Sequence, residues 1–164
     1  MKVQIVDADP GWPAMFEREC KLIAAALGST ALEVHHTGST SVPGLAAKPL
    51  IDITLVVPDS ADEHSYVPAL EAAGYPLVLR EPDWFEHRLL RRGPRLVNVH
   101  VFSVGCSEIG QMTGFRDWLR MHPDDRTLYE TAKRALAELD WATVQDYADA
   151  KTEVILEIKR RAGL

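Results

Sequence analysis

The sequence predicts an α+β fold, in which a mixed β-sheet with packed helices is followed by a helical C-terminal segment. Residues 50–57 form an apolar run, interrupted by Asp52 and Thr54, that is typical of a strand buried on both faces. From Phe115 onwards, apolar residues recur at the spacing of helices. A chain of 164 residues can bury one core, so we expect a single domain over residues 1–164.

The first half of the chain has clear strand and helix signals. Pro13 lies where proline is favoured at a helix start, and Gly28 and Gly74 lie where helices commonly end. The predicted elements are a strand at 2–6, a helix at 12–27, strands at 32–36 and 49–57, and a surface helix at 62–73.

The second half changes from strand patterns to helical ones. Arg91, Arg92 and Arg95 accompany Gly and Pro in a predicted hairpin turn. The predicted strands lie at 75–79, 87–91 and 96–104. The helical patterns begin at Phe115, continue over 128–139 after Pro123, and end with one helix whose apolar stripe covers 144–158.

Composition excludes several classes of partner and location. The net charge of −6 argues against general nucleic-acid binding, which depends on lysine and arginine neutralising phosphates. No uncharged run approaches the length of a membrane span, and the first residues lack the apolar region of a signal peptide. The two cysteines form no CxxC pair, so we expect a cytoplasmic protein with no membrane partner. The oligomeric state stays open.

Residues 36–54 combine a turn rich in glycine and hydroxyl groups with a strand. Glycine lets backbone amides approach an anion, and the hydroxyl groups of Ser39, Thr40 and Ser41 add donors after Gly38. Lys48 follows as a nearby cation. The spacing matches neither a Walker A loop nor a dinucleotide-binding loop. Two interpretations stay open, a phosphate-binding loop and an ordinary surface turn.

Asp52 lies inside an apolar strand, where a carboxylate is costly to bury unless it is paired or binds a metal. Thr54 shares its strand face because side chains alternate. Oxygen ligands suit Mg²⁺, so Asp52 and Thr54 are predicted magnesium ligands. The alternative is an aspartate that caps a loop at a strand end.

Two histidines lie near predicted strand ends. His36 and His100 are candidate acid–base groups, because imidazole titrates near neutral pH. Together with Asp52 they could also bind a transition metal. A hydrogen-bonded structural role is the alternative for each histidine.

Two further cations are candidate phosphate ligands. Arg88 lies early in a predicted strand, where we expect it to point into a cleft, and arginine suits bidentate phosphate recognition. Lys151 lies on the apolar stripe of the last predicted helix, so its amine needs a partner or must extend to solvent.

With these residues assembled, the chain resembles the GrpB family, also called UPF0157. The resemblance spans nearly the whole chain and is most specific in its central stretch. The matching stretches are Asp9-Pro-Gly-Trp-Pro-Ala-Met-Phe-Glu, His36-Thr-Gly-Ser-Thr-Ser-Val-Pro-Gly-Leu-Ala-Ala-Lys-Pro-Leu-Ile-Asp-Ile, Val99-His-Val-Phe, Phe115-Arg-Asp-Trp-Leu-Arg-Met-His-Pro and Tyr147-Ala-Asp-Ala-Lys-Thr.

That family is similar to the nucleotidyltransferase superfamily, which implies a nucleotidyltransferase-like mixed sheet. The resemblance implies that Gly38 and Ser39 occupy the superfamily's Gly-Ser position and Asp52 its first carboxylate. Thr54 stands where the superfamily has a second carboxylate, and Asn98 and His100 are the candidates for the third. A related domain fused to dephospho-CoA kinase in some bacteria hints at nucleotide or coenzyme A metabolism.

Three functions follow as hypotheses. The first is a Mg²⁺-dependent nucleotidyltransferase-like enzyme acting on a nucleoside triphosphate or a related phosphorylated small molecule. The second is a non-catalytic module that binds a nucleotide or phosphometabolite and has lost the metal cluster. The third is a metal-dependent hydrolase using His36, Asp52 and His100, and it requires these three side chains to converge.

Overall fold

In the computed structural model, residues 1–94 and 96–164 are described, and Arg95 of the predicted hairpin turn lies outside them. These residues form five strands and six α-helices, which confirms the α+β prediction. The strands are β1 (Glu33–Thr37), β2 (Ile51–Val57), β3 (Leu77–Glu81), β4 (His87–Arg92) and β5 (Val97–Ser103); the helices are α1 (Trp12–Leu27), α2 (Val67–Ala72), α3 (Ser107–Met121), α4 (Pro123–Ala137), α5 (Val144–Ala150) and α6 (Thr152–Ala162).

The strands form one mixed sheet in the order β1-β2-β5-β4-β3. Strands β2 and β5 are parallel and central, whereas the other neighbouring pairs are antiparallel. In the β2–β5 register Asp52 lies opposite Asn98 and Thr54 opposite His100. Paired residues share a sheet face, so these four polar side chains point to the same side.

The opposite face of the sheet carries the main hydrophobic core. Ile53 and Leu55 of β2 and Val99 and Val101 of β5 are fully buried there. They pack against α1 and α2, which contribute a set of buried side chains: Trp12, Ile23, Leu27, Val67 and Leu70. Burial on both faces explains why β2 is apolar almost throughout.

The C-terminal helices lie on the polar side of the sheet. Leu119 of α3, Tyr129 of α4 and Ile158 of α6 form a second core with Val42 and Leu45 from the loop after β1. Met112 of α3 also accepts a hydrogen bond from Thr54, with 3.3 Å between Oγ1 and Sδ. This half of the chain therefore packs on the sheet and the loop rather than standing apart.

Four predicted elements differ from the structure. The helix predicted to begin at Phe115 is α3, which already begins at Ser107. Residues 2–6 form no strand, and only a single bridge joins Val6 to Ala47, because the segment meets a loop rather than a sheet edge. The surface helix is shortened to α2 and is preceded by a 3₁₀ turn at Glu63–Ser65. The predicted last helix is two helices, since α5 ends at Ala150, Lys151 lies at the junction, and α6 begins at Thr152. None of the described helices is long and apolar enough to cross a membrane.

Candidate functional site

The turn after β1 brings its backbone against Asp52. Gly38 has φ +68°, in the left-handed region that favours glycine, and a Cβ there would lie 2.6 Å from Asp52 Oδ2. Ser39–Ser41 then form a short 3₁₀ turn. Glycine at this position is therefore required both by the backbone conformation and by the close approach to the carboxylate.

Two of the three predicted hydroxyl donors are used inside the loop. Thr40 Oγ1 donates to the carbonyl of Leu50 at 3.0 Å, and Ser41 Oγ donates to the carbonyl of Gly38. Both residues are buried. The Ser39 hydroxyl instead accepts a hydrogen bond from Lys133 of α4 at 2.9 Å, and Ser39 borders a cavity.

Charged side chains of α3 and α4 hold this loop from outside. Arg116 donates to the carbonyl of His36 at 3.1 Å, and Arg120 donates to the carbonyl of Ser41 at 2.9 Å. Glu130 accepts a hydrogen bond from the amide of Ala46 at 2.8 Å. The helical segment therefore fixes the loop at both of its ends.

Lys133, which the sequence analysis did not select, has its amine at the centre of the site. The side chain is 2% exposed, and Nζ donates to Ser39 Oγ at 2.9 Å and to the carbonyl of Ala46 at 2.6 Å. Burial, followed by the charge of Lys151, lowers the pKa of Lys133 to about 7. The available signal was its four-residue spacing from Tyr129 and Ala137, which places all three on one helix face.

A cavity of about 120 Å³ opens beside Ser39, and we call it the lysine pocket. Its wall includes Lys48, Lys133 and Lys151, together with Tyr147 of α5. The amines of Lys48 and Lys151 lie 5.6 and 5.0 Å from the centre of the Tyr147 ring. Three predicted phosphate ligands, Ser39, Lys48 and Lys151, are thus brought together, although Lys151 lies at a helix junction rather than within a helix.

The Tyr147 hydroxyl is buried in this wall and has no hydrogen-bond partner among the described residues. Burial raises the pKa of Tyr147 to about 12, so the hydroxyl keeps its proton at neutral pH. A buried polar group without a partner is costly unless a ligand or water satisfies it.

Asp52 lies at the edge of the lysine pocket and is paired with His100. His100 Nε2 lies 3.2 Å from Asp52 Oδ1. The Thr54 hydroxyl is unexposed and bonds Thr37 and Met112 instead of facing a metal position. In the part of the chain that the structure describes, no three His, Cys, Asp or Glu side chains are grouped as a metal site requires. This donor set does not fit a two-metal site, and Mg²⁺ itself stays a prediction.

His36 lies on the other face of the sheet from Asp52. It pairs with Ile53 in the register, stacks on Phe16 with 4.8 Å between ring centres, and its Nε2 lies 3.0 Å from Thr40 Oγ1. Burial lowers the pKa of His36 to about 4, so the ring is neutral. The three side chains of the hydrolase hypothesis therefore do not converge, because strand alternation turns His36 away.

Arg88 also lies on the core side of the sheet, so the prediction that it points into the cleft is wrong. It pairs with Val101 in the register, and its Nε donates to Glu63 Oε2 at 2.7 Å. Arg80 donates to the same carboxylate from the exposed side at 2.6 Å. These bonds, led by the one from Arg80, lower the pKa of Glu63 to about 2.

A second cavity adjoins the lysine pocket, and we call it the apolar lobe. It measures about 250 Å³, and its apolar wall is formed by Met112, Phe115, Leu119 and Ile155. Arg116 and Lys159 also line it. Both cavities are bordered by Gly38, Ser39, Asp52 and Tyr129. A ligand that spans both would place an anionic group near the lysines and an apolar group between α3 and α6.

Comparisons with known proteins agree with this architecture. The family model described as GrpB protein matches residues 2–161. A UPF0157 protein of Halalkalibacterium halodurans is 56% identical over 98% of this chain and 83% of its own length. The crystal structure of conserved protein GrpB from Enterococcus faecalis superposes with a TM-score of 0.87 at 33% identity, covering 97% of this chain and 96% of that one. The dephospho-CoA kinase of Mycolicibacterium paratuberculosis is 31% identical over 98% of this chain but only 46% of its own length.

The placement of Arg88 predicts a structural role that its exposed neighbour lacks. Arg88→Met should lower the free energy of unfolding by about 3 kcal/mol, because it leaves a half-buried ion pair incomplete. Arg80→Met is the matched control, since that side chain is 60% exposed and such pairs contribute about 1 kcal/mol or less. Urea denaturation measures both values, and equal losses would contradict the assignment.

The approach of Gly38 to Asp52 predicts unequal effects of two glycine substitutions. Gly44→Ala should cost about 1–2 kcal/mol of stability, because Gly44 has φ +81° but nothing within 4 Å of a new Cβ. Gly38→Ala should cost about 1–3 kcal/mol more, since the methyl group meets the Asp52 carboxylate. Thermal and urea unfolding compare the two, and a Gly38 variant no less stable than the Gly44 variant would refute the contact.

Proposed function

The chain belongs to the GrpB protein family, and from the lysine pocket we propose that it binds a phosphorylated small molecule, such as a nucleotide or a coenzyme A precursor. The observation that carries the proposal is the convergence of Lys48, Lys133, Lys151 and the Ser39 side chain on one cavity. Ammonium and hydroxyl donors match the oxygen atoms of a phosphate group.

The local charge supports an anionic ligand. Lys48, Lys133 and Lys151 outnumber the single carboxylate of Asp52 at the cavity, although the whole chain has a net charge of −6. Burial lowers the pKa of Lys151 as well as that of Lys133, which means that their positive charges are costly without a counter-ion. A bound phosphate would supply that counter-ion.

The two cavities also suit the shape of a phosphorylated metabolite. The phosphate would lie at Ser39 and the lysines, and the rest of the molecule would extend past Gly38 into the apolar lobe. Coenzyme A precursors belong in the test panel because one relative is named a dephospho-CoA kinase. A binding role needs no metal cluster, so it agrees with the lone carboxylate at the site.

A second candidate is the nucleotidyltransferase-like enzyme. It is favoured by one observation, the position of Asp52 between the lysine pocket and the apolar lobe. A bond that joins a phosphate to the rest of a ligand would lie at that position. This candidate requires Mg²⁺ at a site where Asp52 is the one carboxylate among the described lining residues. The binding role requires no metal ion.

Lys133→Met should abolish most binding of phosphorylated ligands. In the wild type, ATP, dephospho-CoA or pyrophosphate at about 100 times its Kd should stabilise the fold by about 2.7 kcal/mol, which raises Tm by roughly 5–10 °C. Losing a charge-assisted bond should weaken affinity about tenfold to a hundredfold. Thermal shift measures the rise in Tm, and calorimetry measures the loss of affinity. Lys21→Met, on the exposed side of α1, is the control for the lost charge.

Binding of ATP, dephospho-CoA and pyrophosphate, measured with and without metal ions, separates the binding module from the nucleotidyltransferase-like enzyme. Binding that is unchanged by Mg²⁺ and Mn²⁺ and by Asp52→Ala supports the module. Binding that requires the metal and Asp52, with release of pyrophosphate from ATP, supports the enzyme. If Lys133→Met does not fold, Lys151→Met replaces it. The absence of any shift in the wild type would refute both candidates.

The affinity for phosphate should fall as the pH rises above 7. The pKa of Lys133 is about 7 in the free protein, so its amine is mostly neutral at pH 8 and must take up a proton when an anion binds. The association constant should decrease by up to about tenfold per pH unit. Calorimetry of ATP binding in two buffers of different ionisation enthalpy at pH 8 should show uptake of up to about one proton, and Lys133→Met should abolish it. Equal proton uptake in the variant would contradict the assignment.

A further inference from the structure

A third cavity, of about 500 Å³, adjoins the lysine pocket, and we call it the basic cavity. Lys48 and Leu50 line both cavities, so the two meet at these residues. The apolar lobe meets the lysine pocket at other residues, among them Gly38 and Ser39. The lysine pocket therefore has two neighbouring cavities, and the proposed function uses only the apolar lobe.

Cations and amides line the basic cavity. Its cations are Lys2, Lys48 and Arg91, and its amide side chains are those of Gln4, Asn98 and Gln145. None of its described lining residues is an aspartate or a glutamate. The Lys2 amine donates to the carbonyl of Glu138, a neutral acceptor that leaves its charge in place. In a chain with a net charge of −6, this local excess of positive charge favours an anionic ligand.

Arg91 is oriented within this cavity by Asn98. The two residues lie opposite each other in the register of β4 and β5, and Arg91 Nε donates to Asn98 Oδ1 at 2.8 Å. Among the described residues this is the one hydrogen bond of the Arg91 side chain, so both Nη groups keep their donors for a ligand. A guanidinium presented in this way suits bidentate recognition of a phosphate group. Asn98, a candidate for the third carboxylate position, thus orients a cation instead.

The sheet sets the distance between the two cavities. Asp52, Asn98 and Arg91 lie opposite one another on β2, β5 and β4 and form one polar row. Neighbouring strands are about 4.8 Å apart, so the Cα atoms of Asp52 and Arg91 are separated by about 10 Å. Asp52 borders the lysine pocket, whereas Arg91 borders the basic cavity. Anions bound in the two cavities would be separated by a distance of that order.

We propose that the basic cavity binds a second anionic group of the same ligand, so that the protein recognises a small molecule with two separate phosphate groups. One phosphate lies at Ser39 and Lys133 in the lysine pocket, the other lies at Arg91, and Lys48 lies between them. This inference rests on the proposed function, which places the first phosphate. An apolar part of the ligand still has access to the apolar lobe at Ser39.

Two ligands that differ by one phosphate test the second position. Hexanediol monophosphate carries one phosphate, and hexanediol bisphosphate carries another at the far end of a flexible chain long enough to span two strands. Calorimetry at one salt concentration should show that the wild type binds the bisphosphate about tenfold more tightly, because a hydrogen bond to a charged group contributes at least that factor. Equal affinities for the two ligands would overturn the proposal.

Arg91→Met should remove this gain. Its affinity for hexanediol bisphosphate should fall about tenfold, whereas that for hexanediol monophosphate and for pyrophosphate should change less than about twofold, since neither reaches Arg91. Arg18→Met, on the exposed side of α1, is the matched control for the lost charge. Equal losses for all three ligands, or no loss for the bisphosphate, would overturn the role of Arg91.

Arg91→Lys replaces Arg91→Met if that variant does not fold. Its affinity for the bisphosphate should fall about threefold, because an ammonium group keeps the charge but cannot make the bidentate contact. Unchanged affinity would again overturn the proposal. A wild type that binds neither hexanediol monophosphate nor pyrophosphate would refute the proposed function, whereas binding of both without a gain for the bisphosphate would refute the basic cavity alone.

Discussion

The buried ammonium group of Lys133 is the interaction on which the site depends. A charge taken out of water is costly unless it is fully hydrogen-bonded, and Nζ finds its acceptors at Ser39 Oγ and the carbonyl of Ala46. These two residues lie near opposite ends of the loop between β1 and β2. One amine on α4 therefore fixes the loop and joins the helical segment to the sheet.

The same amine links the stability of the fold to the chemistry of the pocket. Burial and the charge of Lys151 lower the pKa of Lys133 to about 7, so its charged form carries a cost that a bound anion would remove. The buried Tyr147 hydroxyl has no hydrogen-bond partner among the described residues.

Among the described residues, the carboxylate of Asp52 lies beside basic side chains and is not part of a cluster of acids. It is paired with His100, and its strand neighbour Thr54 bonds within the protein. Lys48, Lys133 and Lys151 supply positive charge beside it. Family membership describes the fold, whereas the activity follows from these individual contacts. In this chain they are the basis on which we propose recognition of an anion.

Local patterns in the sequence determined the secondary structure and part of the site. The apolar run of β2, the helical stripe of α1 and the alternation that pairs Asp52 with Thr54 depend only on neighbours along the chain. The sequence likewise selected Ser39, Lys48 and Lys151, because a glycine-rich turn and a lysine on an apolar stripe are visible locally. It misplaced His36 and Arg88, since their sheet face depends on the register with partner strands.

Only the tertiary structure decided which distant groups meet. Lys133 and Tyr147 reach the loop because α4 and α5 pack beside it, and His87 and Glu81 reach His100 because β4 and β3 lie next to β5. No spacing along the chain encodes these contacts. By itself the sequence determined the helices and strands, the glycine-rich loop after β1 and the carboxylate of Asp52. Packing decided that lysines and the imidazole of His100, rather than further acids, lie beside that carboxylate in the described residues. The physical reason is that long-range contacts depend on which faces the sheet and the helices bury.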